Sequence, residues 1–374
     1  MRYCGLNDYL FQSQKMALRL TLLLLFLTSS AFAQKLELLF IGDVMGHDAQ
    51  INSAYDSSKQ AFDYNEVFAP ISGIMSSADF TIANLEVTLA GKPYGGYPKF
   101  SSPDEMVVAL KNHGVDALVT ANNHSCDRGK QGVLRTLDVL DSLGIHHTGT
   151  FRNAMEKAEQ NLMILSQNDI RVGILNYTYG TNGIPVPKGT EVNLIDTLQM
   201  KGDIALAKQQ ALDHLLVFLH WGKEYQHQPS PAQCDLADFL FEQGVNSIIG
   251  SHPHVLQPME LRKPEEGDQF IAYSLGNFVS NQRTQPRDGG AMVKITLSKA
   301  NGRTRISDSG YYLTWVNKTF LAKRAKFEIF SIAERESNNY EGFNDFSKNK
   351  MNTFAEDSRS LLHKYNLEVK EIKP

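Results

Sequence analysis

Residues that can bind a metal ion follow runs of apolar residues at five places in the chain. The run at 39–42 leads to Asp43, 80–83 to Asn84-Leu85-Glu86, 118–121 to Asn122-Asn123-His124, 216–219 to His220, and 247–250 to Ser251-His252-Pro253-His254. Carboxylate, amide and imidazole donors of this mixed kind suit divalent transition metals such as Mn, Fe or Zn. The apolar runs read as strands, and the carboxyl ends of parallel strands meet on one side of an α/β sheet. The sequence therefore predicts that these five loops converge on a metal site.

Each of these residues taken alone also has an ordinary structural explanation. Asp43 could cap a turn, Glu86 could be a paired carboxylate, and His220 could be a buried histidine with a hydrogen-bond partner. The His252-Pro253-His254 triplet is stronger, because proline fixes the middle residue and alternate residues of an extended segment project the same way. It is the combination of all five at strand ends that favours a site.

Strand-like runs alternate with helix-like segments over most of the chain, which predicts a mostly parallel sheet covered by helices on both faces. The predicted strands are 36–41, 80–83, 115–120, 162–165, 171–176, 215–219, 245–249, 270–274 and 291–296, the last two in a more antiparallel part. The predicted helices are 104–113, 132–143, 203–213 and 232–242. Residues 299–374 read as an extension that completes or flanks the sheet, with strands at 311–316 and 326–332 and a helix near 352–365.

Composition excludes two broad classes of protein. The 374 residues contain 37 Lys+Arg and 41 Asp+Glu, a net charge of -4, which argues against a nucleic-acid-binding protein. A hydrophobic content of 42% is enough for a sizeable core and excludes wholesale disorder. Cys126 and Cys234 are the cysteines beyond the first 33 residues, and we interpret them as free thiols.

The first 33 residues have the pattern of a secretory signal peptide. Arg19 precedes an apolar run at 20–27, and small residues then lead to Ala31-Phe32-Ala33, so we expect cleavage after Ala33. Residues 1–15 read as an over-long start of translation. The protein is therefore predicted to be exported to the periplasm or the outside of the cell. The alternative is an uncleaved signal that tethers the protein to the membrane.

Several of these motifs together resemble the CapA family, the capsule or poly-γ-glutamate synthesis proteins, a branch of the calcineurin-like metallophosphoesterase superfamily. The motifs are Gly42-Asp43-Val44-Met45, Asn84-Leu85-Glu86, Ala121-Asn122-Asn123-His124, His220-Trp221-Gly222, Ser251-His252-Pro253-His254 and the YSLGNF sequence at 273–278. The resemblance implies an α/β fold, a metallo-dependent phosphatase-like four-layer α/β/β/α sandwich, over residues 34–298. Residues 299–374 would then be the C-terminal extension.

The resemblance also assigns roles to individual residues. One metal would be bound by Asp43 and His254, a second by the set Asn123, His220 and His252, and Glu86 would bridge the two. His124 would be the catalytic residue that protonates or stabilises the leaving oxygen. A pair of divalent ions can generate a nucleophile from water and stabilise charge on the attacked group.

Two departures from the superfamily pattern affect the first metal. The usual Asp-x-His is replaced by Asp43-Val44-Met45, and a thioether is a poor ligand for these metals. One ligand is therefore missing unless His47 supplies it. The usual bridging aspartate is replaced by the longer Glu86. The expectation is one or two divalent ions, Mn, Fe or Zn.

Four further residues are candidates for contact with substrate. Lys99 could receive an anionic substrate, or be a solvated lysine; Glu224 beside His220 could line the cleft or cap a turn. Tyr177 lies in a loop sequence typical of a cleft, although an aromatic residue there could instead pack in the core. Asn277 follows a strand and could shape the cleft floor.

Three functions are compatible with these features. The first is an exported metal-dependent hydrolase that acts on an ester, phosphoester or amide of an anionic envelope polymer, or on a small ester. The second is an assembly or export factor without turnover that works with the capsule-synthesis machinery. The third is a binding module that retains a metal for structure alone. The ligand set together with His124 favours the first, the name of the resembled family points to the second, and fold by itself does not fix function.

Overall fold

The computed structural model describes residues 34–263, 267–321 and 324–373. The predicted signal peptide therefore lies outside the described residues. No helix within the described ranges combines the length and apolar character needed to span a bilayer.

The strands fall into two main sheets and two short two-stranded sheets. They are β1 Gln34–Val44, β2 Tyr55–Asp56, β3 Ala61–Phe62, β4 Phe80–Leu85, β5 Ala117–Val119, β6 His146–Thr148, β7 Thr150–Phe151, β8 Met163–Gln167, β9 Ile170–Thr178, β10 Glu191–Val192, β11 His214–His220, β12 Ser247–Ser251, β13 Met259–Arg262, β14 Gln269–Ala272, β15 Asn277–Val279, β16 Gly289–Ala300, β17 Arg303–Leu321, β18 Arg324–Ser331 and β19 Lys370–Glu371.

The helices lie between these strands. They are α1 Asp48–Ala54, α2 Asn65–Phe68, α3 Ser72–Met75, α4 Glu105–Asn112, α5 Gly129–Leu143, α6 Ala154–Gln160, α7 Thr197–Ala207, α8 Pro231–Glu242, α9 Ile332–Ser337 and α10 Asp345–Tyr365, with 3-10 turns at Ala69–Ile71 and Lys208–Gln210.

The first sheet has the order β18-β17-β16-β1-β4-β5-β6. Strands β1, β4, β5 and β6 are parallel, whereas β16, β17 and β18 continue the sheet from β1 as an antiparallel meander. The second sheet has the order β13-β14-β12-β11-β9-β8. Its central strands β9, β11, β12 and β14 are parallel and its two edge strands are antiparallel.

The two sheets pack face to face and each carries helices on its outer face. Phe40 and Ile82 of the first sheet share one buried core with Phe218 and Ile249 of the second. A second core lies between the outer face of the first sheet and helices α1 to α4, and a third between the second sheet and helices α7 and α8. This arrangement confirms the predicted four-layer α/β/β/α sandwich.

The helix predicted at 203–213 is wrong in position. Helix α7 covers Thr197–Ala207, because the side chain of Asp196 accepts hydrogen bonds from the backbone N–H groups of Leu198 and Gln199 and so starts the helix earlier. Strand β14 agrees with the prediction of a more antiparallel part on one side only, since it is antiparallel to β13 and parallel to β12.

The C-terminal residues are built into the sandwich. Strands β17 and β18 extend the first sheet, and Met351, Phe354 and Leu362 of α10 are buried in the core between the sheets. Strand β16, Gly289–Ala300, runs across the predicted boundary at residue 298, and that division of the chain stays a prediction.

Candidate metal centre

The predicted ligands lie at the carboxyl ends of parallel strands from both sheets. Asp43 belongs to the end of β1, and His220 is the last residue of β11. The two sheets meet here, since Asp43 Oδ2 is 3.1 Å from His254 Nδ1 and Asn123 Oδ1 is 2.9 Å from His220 Nε2. All six predicted ligands are buried: Asp43, Glu86, Asn123, His220, His252 and His254. Side chains about 210 positions apart in sequence are thereby brought into contact.

Glu86 is at the centre of this cluster. It follows β4, is fully buried, and neither of its carboxylate oxygens has a hydrogen-bond partner in the described structure. Glu86 Oε1 is 3.6 Å from His220 Nε2 and 3.8 Å from His254 Nε2. A buried carboxylate without a partner costs several kcal/mol unless a cation or a proton compensates for it.

The donor atoms fit a divalent cation. Ligand atoms of Glu86, His252 and His254 lie within 4.8 Å of one another, as do those of Asp43, Glu86 and His220. His252 Nδ1 is a further buried atom that has no hydrogen-bond partner within the described ranges. Glu86 belongs to both groups, which is the position of a ligand shared between two ions. The chemistry of the donor set and its unpartnered atoms therefore agree with the predicted metal.

The protein environment keeps the imidazoles of His220 and His252 neutral. Burial, reinforced by neighbouring histidines, lowers the pKa of His220 well below its usual value and that of His252 to about 4. Neutral imidazole is the form that binds a metal. Burial and the charge of Asp43 raise the pKa of Glu86 well above its usual value, so the carboxylate form needs a nearby positive charge.

A set of polar side chains around the cluster fixes the orientation of these ligands. Asn84 Nδ2 donates to Asp43 Oδ1 at 2.8 Å, Ser251 Oγ is 3.0 Å from His220 Nδ1, and Asn277 Oδ1 is 3.0 Å from His254 Nδ1. Partners of this kind set the ring orientation and tautomer of metal-binding histidines. Asn84 and Ser251 were not predicted to act here, although both stand inside motifs that the sequence showed.

His124 lies beside the cluster and is held by Asp127. Its Nδ1 is 2.8 Å from Asp127 Oδ2, which also accepts a hydrogen bond from the backbone N–H of Phe100 at 2.6 Å. The Phe100 ring packs edge-on against the His124 ring, with centroids 4.6 Å apart. Asp127 was missed in the sequence, where an acidic residue three positions after the histidine was its signal.

The reason given for the convergence of His252 and His254 is wrong. The segment is not extended, because both residues have left-handed backbone conformations, with φ of 96° and 57°. Non-glycine residues adopt this region rarely and at an energetic cost. The two imidazoles meet Glu86 and Asp43 because the backbone turns sharply around Pro253, and strain of this kind is common at functional sites.

The two departures at the first metal have different outcomes. Met45 is buried in the core beneath the outer helices, so its thioether is packing material. His47 Nδ1 accepts a hydrogen bond from the backbone N–H of Asn281 at 3.2 Å, and burial lowers the pKa of His47 to about 4. Among the described residues, His47 is not part of either ligand group.

The predicted substrate residues are placed differently from one another. The structure corrects the prediction that Tyr177 lines the cleft. Tyr177 is buried in the core beneath α7 and α8, and its hydroxyl donates to Asp203 at 2.8 Å. The cleft tyrosine is Tyr179, which is 47% exposed and has its ring 4.5 Å from that of His252. Asn277 is also buried and contacts His254, so it positions a ligand and does not line the open cleft.

Lys99 and Glu224 are exposed near the cluster. Lys99 immediately precedes Phe100, whose ring touches His124. The charge of Glu224 contributes to the raised pKa of both Glu86 and Tyr179, which places it at the mouth of the site. Their contact with substrate stays a prediction.

Solved structures show a distant overall similarity. A calcineurin-like phosphoesterase, YfkN, from Bacillus subtilis aligns with 88% of this chain and 98% of its own, at 14% identity and a TM-score of 0.46. A 5'-nucleotidase described as putative from Staphylococcus aureus aligns with 86% of this chain and 58% of its own, at 12% identity and a TM-score of 0.48.

Sequence relatives are closer. The capsule biosynthesis protein CapA of Bacillus anthracis is 29% identical over 280 residues, which cover 71% of this chain and 64% of that protein. The PGA biosynthesis protein CapA of Bacillus subtilis (strain 168) is 30% identical over 273 residues, covering 71% of this chain and 68% of that protein. Residues 37–282 match the family described as bacterial capsule synthesis protein PGA_cap, and this range contains every predicted ligand. The chain therefore belongs to the PGA_cap family of bacterial capsule synthesis proteins.

Proposed function

We propose that this protein is an exported, metal-dependent hydrolase of capsule or poly-γ-glutamate metabolism, which cleaves an ester, phosphoester or amide in an anionic envelope polymer. The observation that carries the proposal is the buried carboxylate of Glu86. Among the described residues it has no hydrogen-bond partner, and it lies between His220 and His254. A group this costly to bury has a clear use when it binds a cation.

The chain offers two groups of ligands around Glu86. Asp43 and His254 would hold one divalent ion, and Asn123, His220 and His252 a second, with Glu86 shared. A divalent ion supplies Lewis acidity and makes a water-derived nucleophile available near pH 7. Asn84, Ser251 and Asn277 hold the ligand side chains in their orientations.

His124 is the residue we assign to proton delivery. Because Asp127 Oδ2 already accepts from the Phe100 N–H, it is fixed as the acceptor of the His124 Nδ1–H. This leaves His124 Nε2 as the ring nitrogen that can serve the substrate. A positioned imidazole that protonates a leaving oxygen contributes roughly 100-fold to 10,000-fold to a rate.

The test begins with the full chain expressed in a bacterial host and recovered from the exported fraction, where its mass should show cleavage after Ala33. The protein is reconstituted with Mn, Fe or Zn, and its metal content and hydrolysis of bis(p-nitrophenyl) phosphate and of γ-glutamyl oligomers are measured. His124→Ala should lose about 100-fold or more in turnover while its metal content is unchanged. The matched control is His363→Ala, an exposed histidine on α10, which should behave like the unmodified protein.

Three results would contradict parts of this proposal separately. Absence of bound metal after reconstitution would contradict the assignment as a metal-dependent hydrolase. Metal binding with no turnover of any ester or amide would instead favour an assembly factor. If the protein stays in the cytoplasm with residues 1–33 intact, only the proposed export is contradicted.

A further inference from the structure

A groove of about 670 Å³ lies between helix α10 and the loops that flank the metal centre. Its volume is in the range of small-molecule and oligomer sites, roughly 300–1,000 Å³. One wall belongs to the loops around Gln228, Leu256 and Gln285, and the other to α10, including Ser360 and Lys364. The whole α10 wall lies beyond residues 37–282, which match the family.

Three separate segments connect this groove to the metal centre. Leu256 in the groove wall is two residues from His254. His227 is two residues from Tyr225, whose ring centroid is 6.3 Å from that of His254. Pro286 is followed directly by Arg287, whose guanidinium carbon lies 3.9 Å from the centroid of the Tyr225 ring.

Backbone hydrogen bonds fix these segments against the ligands. The N–H of Tyr225 donates to the carbonyl of Pro253, the residue between the two ligand histidines, at 2.8 Å. Asn277 Nδ2 donates to the carbonyl of Arg287 at 2.8 Å, and the same side chain contacts His254. The groove therefore starts at the side of the centre where His254 lies.

The helical wall is equally well held. Phe354 and Leu362 on the inner face of α10 are buried in the core between the sheets. Arg359 pairs with Glu336 at 2.6 Å and with Glu371 at 2.7 Å, and Gln285 Nε2 donates to Asp357 Oδ2 at 2.9 Å across the groove. The groove is thus preformed, which lowers the entropic cost of binding a flexible chain.

The chemistry of the lining suits an anionic chain joined by amide bonds. Gln228 and Gln285 offer amide groups that both donate and accept hydrogen bonds, as a peptide-like backbone requires. Lys364 of the lining and Arg287, which directly follows Pro286 of the lining, supply positive charge, and each contacts an aromatic ring, Tyr365 and Tyr225 respectively. The lining also contains the carboxylate of Asp357, whose Oδ2 accepts the hydrogen bond from Gln285 Nε2. Within the described parts of the chain, neither cation forms an ion pair with a carboxylate.

We propose that this groove binds the stretch of an anionic, amide-linked oligomer next to the bond presented at the metal centre, with Arg287 and Lys364 contacting its carboxylates. The inference rests on the proposed function for the placement of the bond. It adds a binding site that uses the C-terminal helix, so that the enzyme would hold several units of a polymer rather than a single small ester.

The experiment measures binding of a fluorescently labelled γ-linked glutamate decamer to the metal-reconstituted full chain. The double variant Arg287→Gln, Lys364→Gln should weaken binding at least about fivefold, the value of roughly 1 kcal/mol expected from exposed charge pairs. Ser360→Trp, which fills the groove without changing its charge, should also weaken binding. Lys350→Gln is the matched control, an exposed lysine of the same helix outside the groove lining, and should bind as the unmodified protein does.

The same γ-linked decamer with its α-carboxylates converted to carboxamides (γ-linked isoglutamine) serves as the neutral probe. It should bind more weakly than the acidic decamer, and the difference should shrink at high salt because exposed charges are screened. The proposal is overturned if the groove variants bind within twofold of the unmodified protein, or if the neutral decamer binds as tightly as the acidic one. Loss of binding only on Lys350→Gln would overturn it as well.

The outcome is independent of the hydrolase assignment. If the protein binds metal and hydrolyses bis(p-nitrophenyl) phosphate, but the groove variants bind the decamer with unchanged affinity, only the groove proposal is contradicted. Groove-dependent binding in a protein that holds no metal would remove the hydrolase and leave the groove as an oligomer-binding site.

Discussion

The two ends of strands β11 and β12 contain the same pair of residue types in very different surroundings. At the amino ends, His214 Nε2 is 2.8 Å from Ser247 Oγ; at the carboxyl ends, His220 Nδ1 is 3.0 Å from Ser251 Oγ. Both histidines are buried, and burial lowers the pKa of each. A buried histidine bonded to a serine is therefore not in itself a sign of a site.

The two ends differ in the side chains that surround each histidine. His220 has its second nitrogen 2.9 Å from Asn123 and 3.6 Å from the unpartnered carboxylate of Glu86. Among the described residues, His214 belongs to no group of metal-ligating side chains. At the carboxyl ends of parallel strands, several loops bring ligands together. At the amino ends, the loops lead from the preceding helices back into the strands. The comparison teaches that a group of buried metal-ligand atoms from several loops indicates a site, whereas a single buried histidine does not.

The largest effect should come from removing the charge at the centre of the cluster. Glu86→Gln should lower metal affinity by more than about 100-fold, since even the partners that only orient ligands are worth roughly 10-fold to 100-fold. Metal content after dialysis, measured by plasma mass spectrometry, checks this. The control is His214→Asn at the other end of β11, which should retain its metal. Equal metal content in the two variants would contradict the distinction between the ends.

A smaller effect concerns the acid sensitivity of His214. Its pKa is lowered from 6.5 to about 4 by burial, so the folded state resists protonation. The associated stability is fully present above pH 6.5 and is lost as the pH falls from 6.5 to about 4, up to about 3 kcal/mol at 1.36 kcal/mol per pKa unit. His214→Asn should therefore flatten the fall in the free energy of unfolding over this range, measured by urea denaturation. An unchanged slope between pH 6.5 and 4 would show that His214 does not resist protonation.

The smallest effect sharpens the distinction between the two tyrosines. Tyr177→Phe removes one buried hydroxyl that donates to Asp203, and should cost about 1 kcal/mol of unfolding free energy. Because Tyr177 lies beneath the helices, the metal content should be unaltered. Thermal melting and metal analysis check both parts. Loss of metal on Tyr177→Phe would contradict the conclusion that Tyr177 lies outside the cleft.

The layers and the clustering of the candidate ligands could be predicted from sequence because both depend on local patterns, while the binding of a metal by these residues stays a prediction. Continuous apolar runs identify strands buried on two sides, and a polar motif directly after each run lies at the sheet edge by geometry alone. For this reason Asp43, Glu86 and His220, from both sheets, were identified before the structure was known. Only the structure shows that the Glu86 carboxylate has no hydrogen-bond partner in the part of the chain that it describes.

The errors arose where orientation depends on contacts distant in sequence. Tyr177 and Tyr179 are separated by the end of β9, where strand alternation stops, so spacing could not say which ring faces the cleft. The left-handed conformations of His252 and His254 leave no mark in a triplet that also fits an extended strand. The groove beside α10 joins residues more than 70 positions apart, such as Gln285 and Asp357, and no motif marks such a pair.

The central claim is that Glu86 shares a bound metal with the surrounding histidines. Crystals of the protein reconstituted with Mn or Zn, with diffraction data collected on both sides of the metal absorption edge, test it most directly. We predict anomalous density within bonding distance of Glu86, His220 and His252. A map without anomalous density at Glu86, in crystals soaked with either metal, would contradict the account.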